Sequence, residues 1–248
     1  MTKSDTAAWP YPRWIAHRGA GKHAPENTLA AFRVGSSHGY RMFECDVKLS
    51  SDDVPFLLHD DDLDRTTTGH DLAGAQPWSA LSKLDAGSWH SFPFAGEPLP
   101  TLEAVARFCL DKGHFINLEI KPTPGTERHT GEVVARCAAR LWQGVAVPPL
   151  LSSFKTEALH GARDGAPELP RALLLDTLWT GWLQAAIGLG CVAVVCKHTL
   201  WDSISVTQVK SASMRCLSYT VNHKGAAQRL LDLGTDGLIT DRVDSFAP

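Results

Sequence analysis

Residues 42–49 read MFECDVKL, and from Glu44 onward polar and apolar side chains alternate. An alternation with a period of two is typical of a β-strand, whose successive side chains point to opposite faces. Glu44 and Asp46 therefore share one face of the predicted strand, and Cys45 between them faces the other way. A fold loses stability when it sets acids among apolar neighbours without partners. The stretch that decides the fold thus also predicts a site of chemistry.

Strand-like runs recur along the chain and alternate with helix-like segments. They begin at eight residues, namely Trp14, Met42, His114, Leu150, Arg171, Cys191, Arg215 and Gly237. Apolar strands interleaved with helices predict a parallel sheet covered on both faces, and eight repeats favour its closure into a ring. We therefore predict an α/β fold of the TIM (β/α)8 barrel type. A doubly wound open sheet is the alternative.

One long irregular segment interrupts this alternation after the second strand. It spans residues 60–100 and is rich in Thr, Gly, Pro and Trp, so we predict a small insertion that caps the barrel mouth. A length of 248 residues is usual for one α/β barrel, and no linker-like stretch divides the chain. We therefore predict one domain over residues 1–248. Since only residues 242–248 follow the last predicted strand and its turn, the eighth helix must be very short or absent.

The composition narrows the classes of function. The formal net charge of −3 disfavours a nucleic-acid or anionic-membrane footprint and leaves a small molecule as the expected partner. Residues 1–12 hold no apolar core of the signal-peptide type, and the most apolar stretch, residues 189–196, is too short to span a bilayer. The six cysteines form no C-x-x-C pair, so we predict reduced thiols in a cytoplasmic protein without stable membrane association. The oligomeric state stays open.

Acidic residues are concentrated near predicted strand ends, where a barrel of this kind places its active site. The side chains of Glu44 and Asp46 can converge on one ion, and Glu119 of the neighbouring strand is the natural third ligand. Glu26 is a further candidate ligand, direct or through water, unless it only satisfies backbone donors at a helix start. Oxygen ligands alone favour Mg²⁺ or Ca²⁺ over zinc. The alternative is that these acids only form salt bridges with nearby lysines and arginines.

Two histidines and two basic residues lie at the same strand ends. His17 and His59 are the candidates for general acid and base, because imidazole titrates near neutral pH. Arg18 can bind a phosphate through paired N–H donors, and Lys121 supplies a second positive charge. The alternatives are a surface salt bridge for Arg18 and a pairing with Glu119 for Lys121. Together with the acids, these residues predict a metal-assisted phosphodiester hydrolase.

A series of short motifs in a fixed order adds a family resemblance. The motifs are AHRG at 16–19, PENT at 25–28, ExDV at 44–47, HD at 59–60, LxRT at 63–66, EIKP at 119–122, SF at 153–154, YTVN at 219–222 and GLITDR at 237–242. With them the chain resembles the glycerophosphodiester phosphodiesterase family over essentially its whole length. Within that family it looks most similar to the cytoplasmic enterobacterial-type enzyme of glycerol phosphate uptake operons.

The resemblance implies a TIM barrel with an insertion after the second strand and a set of site residues. The implied residues are the divalent-ion ligands Glu44, Asp46 and Glu119, the acid–base pair His17 and His59, and Arg18 on the phosphate. The implied reaction converts water and a glycerophosphodiester, such as glycerophosphocholine or glycerophosphoethanolamine, into sn-glycerol 3-phosphate and an alcohol. Tyr219 stands where the family often has Trp, which keeps an aromatic wall against the glycerol moiety.

Other functions are weighed against this one. A barrel aldolase would use Lys121 as a Schiff-base lysine, but the surrounding acids would keep its ammonium protonated. A binding module without catalysis would have lost histidines or carboxylates, and all of them are present. A related phosphodiesterase that acts on lipid head groups at a membrane is disfavoured by the net charge. The sequence also leaves open whether water or a substrate hydroxyl attacks the phosphorus.

Overall fold

Eight parallel strands form a closed barrel at the centre of the protein. The computed structural model describes residues 9–248, so the part of the predicted domain in residues 1–8 lies outside the described residues. In chain order the strands are β1 (Trp14–Ala16), β2 (Met42–Leu49), β3 (Pro55–Leu57), β4 (Phe115–Ile120), β5 (Leu150–Ser153), β6 (Arg171–Leu175), β7 (Ala193–Lys197), β8 (Arg215–Tyr219) and β9 (Gly237–Thr240). The hydrogen-bonded order is β1-β9-β8-β7-β6-β5-β4-β2, and β2 pairs with β1 to close the ring. The predicted TIM barrel is confirmed.

Helices connect the strands and cover the outside of the barrel. They are α1 (Leu29–Ser37), α2 (Trp78–Leu81), α3 (Leu102–Lys112), α4 (Glu127–Leu141), α5 (Thr156–Gly165), α6 (Trp182–Gly188), α7 (Ser203–Ser211) and α8 (Lys224–Asp232). The outward residues of β2, such as Phe43, Cys45 and Val47, belong to the core beneath these helices and are fully buried. Among the helices of the described chain, none combines the length and the apolar character that a membrane crossing needs.

Six of the eight predicted strand starts are correct, and two were predicted too early. The strand expected from His114 begins at Phe115, and the strand expected from Cys191 begins at Ala193. In both cases the N–H of the expected first residue still donates to a carbonyl of the preceding helix, at 2.8 and 3.0 Å. Residues that close a helix and residues that open a buried strand are therefore hard to tell apart by composition.

The irregular segment lies between β3 and α3. Strand β3 is antiparallel to β2 and stands outside the ring, and the chain then continues through the short helix α2 toward α3. This segment and the end of β3 share a small apolar core, formed by Phe56, Leu58, Leu63, Ala73, Leu81, Ala86 and Leu99. The buried ammonium of Lys48 on β2 binds the Asp61 carboxylate at 2.7 Å. The segment is thereby held against the barrel by apolar packing and by ion pairs, of which Lys48–Asp61 is one.

After β9, the end of the chain packs on the outside of the barrel where a further helix would otherwise follow the last strand. Residues 241–248 contain no helix and form turns and extended chain, as their small number predicts. The ring of Phe246 stacks on Trp14 of β1 with centroids 4.5 Å apart. The carbonyl of Phe246 also accepts a hydrogen bond from the buried Tyr40 hydroxyl at 3.0 Å. The tail thus covers the outer face of β1.

The inward face of the barrel changes from apolar to polar along the strands. Its apolar part is formed by Ile15, Met42, Leu150, Ala172, Leu174, Ala193, Val195, Leu217 and Ile239. Closer to the carboxyl ends of β2 and β4 the inward residues are Glu44, Asp46, Asn117 and Glu119, and the register pairs Glu44 with Asn117 and Asp46 with Glu119. The barrel interior is therefore apolar in its deeper part and polar at the carboxyl ends of β2 and β4.

Candidate active site

Three carboxylates from two adjacent strands converge at the carboxyl end of the barrel. Glu44, Asp46 and Glu119 each offer one oxygen, and these three oxygens lie within 4.8 Å of one another. The residues are only 2%, 1% and 9% exposed. The expectation that Glu44 and Asp46 share a face of their strand, with Glu119 beside them on the next strand, is met by this geometry.

The electrostatics of the three acids favour a positive charge between them, because without one Glu44 and Glu119 tend to hold protons. Burial, with the charges of Asp46 and Glu119, raises the pKa of Glu44 well above its ordinary value. Burial and the charge of Asp46 raise the pKa of Glu119 to about 7. One Glu44 oxygen is buried and has no hydrogen-bond partner among the described residues. An all-oxygen cluster with a free, buried ligand atom fits a hard divalent cation.

Asp46 differs from its two neighbours because several cations surround it. Burial would raise its pKa, but the charges of Arg18, His59 and Lys121 outweigh this effect and keep the pKa below its ordinary value. The Arg18 Nε atom lies 3.2 Å from Asp46, and the Lys121 ammonium lies 4.0 Å away. Asn27 donates to the same carboxylate at 2.8 Å. Asp46 is therefore an anion even before any metal binds.

The raised pKa of Glu119 predicts how stability depends on pH in the metal-free protein. Below pH 7 the folded protein keeps this acid neutral, whereas the unfolded chain ionises it near 4.5. Folding stability should therefore fall as the pH rises from about 5 to 8, by up to about 3 kcal/mol from this residue. Urea unfolding in the presence of a chelator at several pH values measures the effect. Glu119→Gln should flatten the slope, and an equal slope in both proteins would contradict the assignment.

Two imidazoles lie beside the acids, and each is held by a carboxylate. The Nδ1 atom of His17 is 2.6 Å from Asp241, and the Nδ1 atom of His59 is 2.6 Å from Asp60. Burial opposes ionisation of Asp241, but the hydrogen bond from His17 lowers its pKa to about 2. Each anion therefore accepts the Nδ1 proton and leaves Nε2 free for proton transfer. The Nε2 atom of His17 lies 3.8 Å from Glu44.

Arg18 and Lys121 bring the positive charge of the site. The Arg18 backbone N–H donates to Glu44 at 3.1 Å, and its φ of 50° is in the left-handed region that few non-glycine residues adopt. The Lys121 ammonium binds Glu119 at 3.2 Å. Burial would lower the pKa of Lys121, but the charges of Glu119 and Asp46 raise it. An ammonium held in this way is a poor Schiff-base nucleophile, which argues against the aldolase alternative.

Glu26, expected as a further metal ligand, lies next to the site but outside the acid cluster. One of its oxygens accepts hydrogen bonds from Arg18 and from Arg65, each at 2.8 Å, and the other accepts from Arg65 at 2.9 Å. Both oxygens are thus engaged by guanidinium groups. The structure therefore places Glu26 as a partner of arginines and gives no support to ligation by it.

A cavity of about 160 Å³ is lined by His17, Arg18, Glu44, His59 and Glu119, among others. Tyr219 and Phe154 form an aromatic wall with ring centroids 5.7 Å apart, and the Tyr219 hydroxyl donates to the Leu175 carbonyl at 3.0 Å. A second cavity of about 250 Å³ adjoins it at Glu119 and Phe154 and is lined by Lys48, Asp61, Lys121 and Lys155, among others. The two cavities together give room for a small phosphodiester with a polar head group.

Several residues of the site were missed by sequence reasoning. Asp241 was quoted only within a motif, although it follows the last strand at the same edge of the barrel. Asn222 holds it by two hydrogen bonds, at 2.8 and 2.9 Å. Asn27 was quoted only within the motif PENT; Thr28 beside it caps α1, and Asn27 itself donates to Asp46. Asn117 lines the first cavity, is 1% exposed, and its amide has no partner among the described residues.

Comparisons with known proteins agree with this geometry. The model of the glycerophosphoryl diester phosphodiesterase family matches residues 17–245. A glycerophosphodiester phosphodiesterase of Caldanaerobacter subterraneus is 31% identical over 239 residues, which cover 94% of this chain and 95% of that protein. An Oleispira antarctica phosphodiesterase, solved in complex with the product sn-glycerol-3-phosphate, is 33% identical with a TM-score of 0.86, and the match covers 93% of both chains. A glycerophosphodiester phosphodiesterase of Agrobacterium tumefaciens is 26% identical with a TM-score of 0.80 over 95% of this chain and 98% of that one.

The barrel, its acidic site and these relatives define a phosphodiesterase. The chain belongs to the glycerophosphoryl diester phosphodiesterase family. The predicted family and enzyme class are confirmed, and the finer similarity to the enterobacterial-type enzyme stays a prediction.

Proposed function

We propose that the protein hydrolyses glycerophosphodiesters, such as glycerophosphocholine and glycerophosphoethanolamine, to sn-glycerol 3-phosphate and an alcohol. The observation that carries the proposal is the cluster of Glu44, Asp46 and Glu119 beside a cavity that is also lined by two carboxylate-held imidazoles. The sn-glycerol-3-phosphate bound to the Oleispira antarctica relative supports the same product class.

The proposed cofactor is one divalent cation, Mg²⁺ or Ca²⁺, held by Glu44, Asp46 and Glu119. When bound, it would act as a Lewis acid that withdraws charge from the phosphoryl oxygens. The three oxygens are close enough for shared ligation, and their ligand type suits a hard ion. Glu26 is left out of the ligand set because its two oxygens are engaged by Arg18 and Arg65.

The proposed acid–base pair is His17 and His59. Both rings line the cavity, and the contact of Nδ1 with Asp241 or Asp60 leaves Nε2 as the nitrogen available for proton transfer. One imidazole would take the proton from the attacking hydroxyl, and the other would give a proton to the leaving alcohol. Burial lowers the pKa of His59, so a neutral imidazole is present there at neutral pH.

Arg18, Lys121 and Tyr219 are the proposed substrate-binding residues. Arg18 and Lys121 lie against the acid cluster, so their charges are available to a phosphate bound over it. The ring of Tyr219 would pack on the carbon chain of the glycerol moiety, because the ring forms part of the cavity wall and its hydroxyl is engaged by a backbone carbonyl. The alcohol would then extend toward the second cavity.

An assay for released sn-glycerol 3-phosphate tests the proposed function. With Mg²⁺ or Ca²⁺ present, the protein should release sn-glycerol 3-phosphate and choline in equal amounts from glycerophosphocholine. A chelator should stop the reaction, and one of the two ions should restore it. Phosphorus NMR during turnover would show a cyclic phosphate if a substrate hydroxyl attacks, and none if water attacks. No release from any glycerophosphodiester with either ion would contradict the proposal.

We propose a cytoplasmic location and a small-molecule substrate as the main partner. All six cysteines are free thiols, and five of them are buried, which suits a reducing compartment. A net charge of −3 disfavours a broad binding surface for nucleic acid or anionic lipid. Fractionation of cells that produce the tagged protein tests the location, and recovery of the protein outside the cytoplasmic fraction would contradict it.

A further inference from the structure

Arg65 of the irregular segment binds two carboxylates of the site with one guanidinium group. Its Nε and one Nη atom lie 2.5 and 3.1 Å from the two oxygens of Asp60. Its two Nη atoms lie 2.9 and 2.8 Å from the two oxygens of Glu26. Such paired contacts on two carboxylates use the planar fork of arginine, which the point charge of a lysine lacks.

Each of these carboxylates is also hydrogen-bonded to a side chain of the proposed active site. Glu26 accepts from the Arg18 guanidinium at 2.8 Å, and Asp60 pairs with the His59 Nδ1 atom at 2.6 Å. Arg65 is thus linked through one intervening carboxylate to the proposed phosphate-binding arginine, and through another to one proposed acid–base imidazole. It does not line the 160 Å³ cavity itself.

We propose that Arg65 is a positioning residue that fixes the orientations of Arg18 and His59 together, through Glu26 and Asp60. This inference rests on the proposed function of the site. With Arg65 in place, Asp60 cannot turn away from His59 without losing two hydrogen bonds, and the same holds for Glu26 and Arg18. The irregular segment is therefore required for the geometry of the barrel site.

The contribution of Arg65 should be visible in activity and small in stability. Its side chain is 44% exposed, and exposed ion pairs add little to folding free energy. A displacement of about 1 Å in a reacting group, by contrast, can cost about 10²-fold in rate. A residue that only held the segment in place would lower the melting temperature and the activity together.

Variants at position 65 test the proposal. Arg65→Gln should lower kcat/KM for glycerophosphocholine by about 10²-fold, with a loss of melting temperature below about 4 °C. Arg65→Lys restores the charge but not the fork and should recover only a minor part of the activity. Arg128→Gln is the matched control, because Arg128 also bridges two carboxylates, Glu157 and Asp164, on the outer helices.

Two outcomes would overturn the proposal. The first is an Arg65→Gln protein whose kcat/KM stays within about threefold of the wild type, far less than a displaced reacting group costs. The second is a loss of activity that Arg65→Lys repairs fully and that follows the melting temperature, since charge and stability alone would then explain it.

A turnover-independent measurement separates this inference from the proposed function. The Nδ1 protons of His17 and His59 lie in short hydrogen bonds, so each should give a low-field proton resonance, assigned with variants at each histidine. Arg65→Gln should shift or broaden the His59 resonance and leave the His17 resonance unchanged, and Arg128→Gln should change neither. An unchanged His59 resonance would overturn the inference even in a protein that hydrolyses no glycerophosphodiester.

Discussion

Replacement of Asp46 by asparagine should remove both cation binding and hydrolysis. Among the three acids, Asp46 is the one whose pKa is kept low, by Arg18 and by the nearby His59 and Lys121. It therefore provides the negative charge that a cation meets first at neutral pH. Changes to residues that only support metal ligands cost about 10- to 100-fold in affinity, so the loss of a direct ligand should exceed about 10²-fold. Calorimetric titration with Mg²⁺ and with Ca²⁺ measures the affinity, and the assay for sn-glycerol 3-phosphate measures turnover.

The control for this variant is Glu103→Gln. Glu103 lies on α3 with a side chain that is 58% exposed, and its carboxylate is 3.4 Å from Arg107 one turn later. This change removes the same charge from the protein without touching the site, so affinity and turnover should stay at wild-type values. Circular dichroism shows whether the Asp46→Asn protein is folded. A folded Asp46→Asn protein that binds either ion with wild-type affinity would exclude Asp46 as a ligand.

The fold could be predicted from the sequence because its determinants are local. Alternation in residues 42–49 and short apolar runs elsewhere each set the direction of side chains within one strand. The repeated order of strand and helix then leaves few topologies, of which the closed barrel is one. Strand starts were misplaced only at His114 and Cys191. There the first residue of the apolar run still donates a hydrogen bond to the preceding helix.

The acid cluster could be predicted for a similar reason. Glu44 and Asp46 are two residues apart on one strand, and a parallel sheet places the ends of adjacent strands at one edge. The position of Glu119 beside them therefore follows from the order of the strands in the barrel, which the sequence pattern predicts. His17 and His59 were found by the same rule.

The partners of these groups could not be predicted from the sequence. His17 and Asp241 are 224 positions apart, and only the closure of β9 on β1 brings them together. The contact between Glu26 and Arg65, 39 positions later, could not be predicted either, because no local pattern indicates it. Side-chain pairing across such separations depends on the exact packing of loops at the barrel mouth.

Replacement of His17 by alanine should lower kcat by about 10²- to 10⁴-fold, the usual contribution of a general acid or base. The loss is expected in kcat, because His17 lies beside the acid cluster, with Nε2 3.8 Å from Glu44, and is not proposed to bind the phosphate. Asp241→Asn keeps the imidazole but removes the anion that holds the Nδ1 proton at 2.6 Å. It should therefore also lower kcat, because the ring can then adopt the wrong tautomer or turn away. Steady-state kinetics with saturating Mg²⁺ or Ca²⁺ measures both variants.

The matched control is His70→Ala. His70 also pairs its Nδ1 atom with a carboxylate, that of Asp64 at 2.7 Å, but its side chain is 78% exposed on the irregular segment. The change removes an imidazole from a similar pair without altering the cavity, so kcat should stay at the wild-type value. Calorimetry on His17→Ala should show that cation affinity is retained, since the three acids are intact, and this separates loss of proton transfer from loss of the metal. Wild-type kcat in a folded, metal-loaded His17→Ala protein would show that the proton moves through another group.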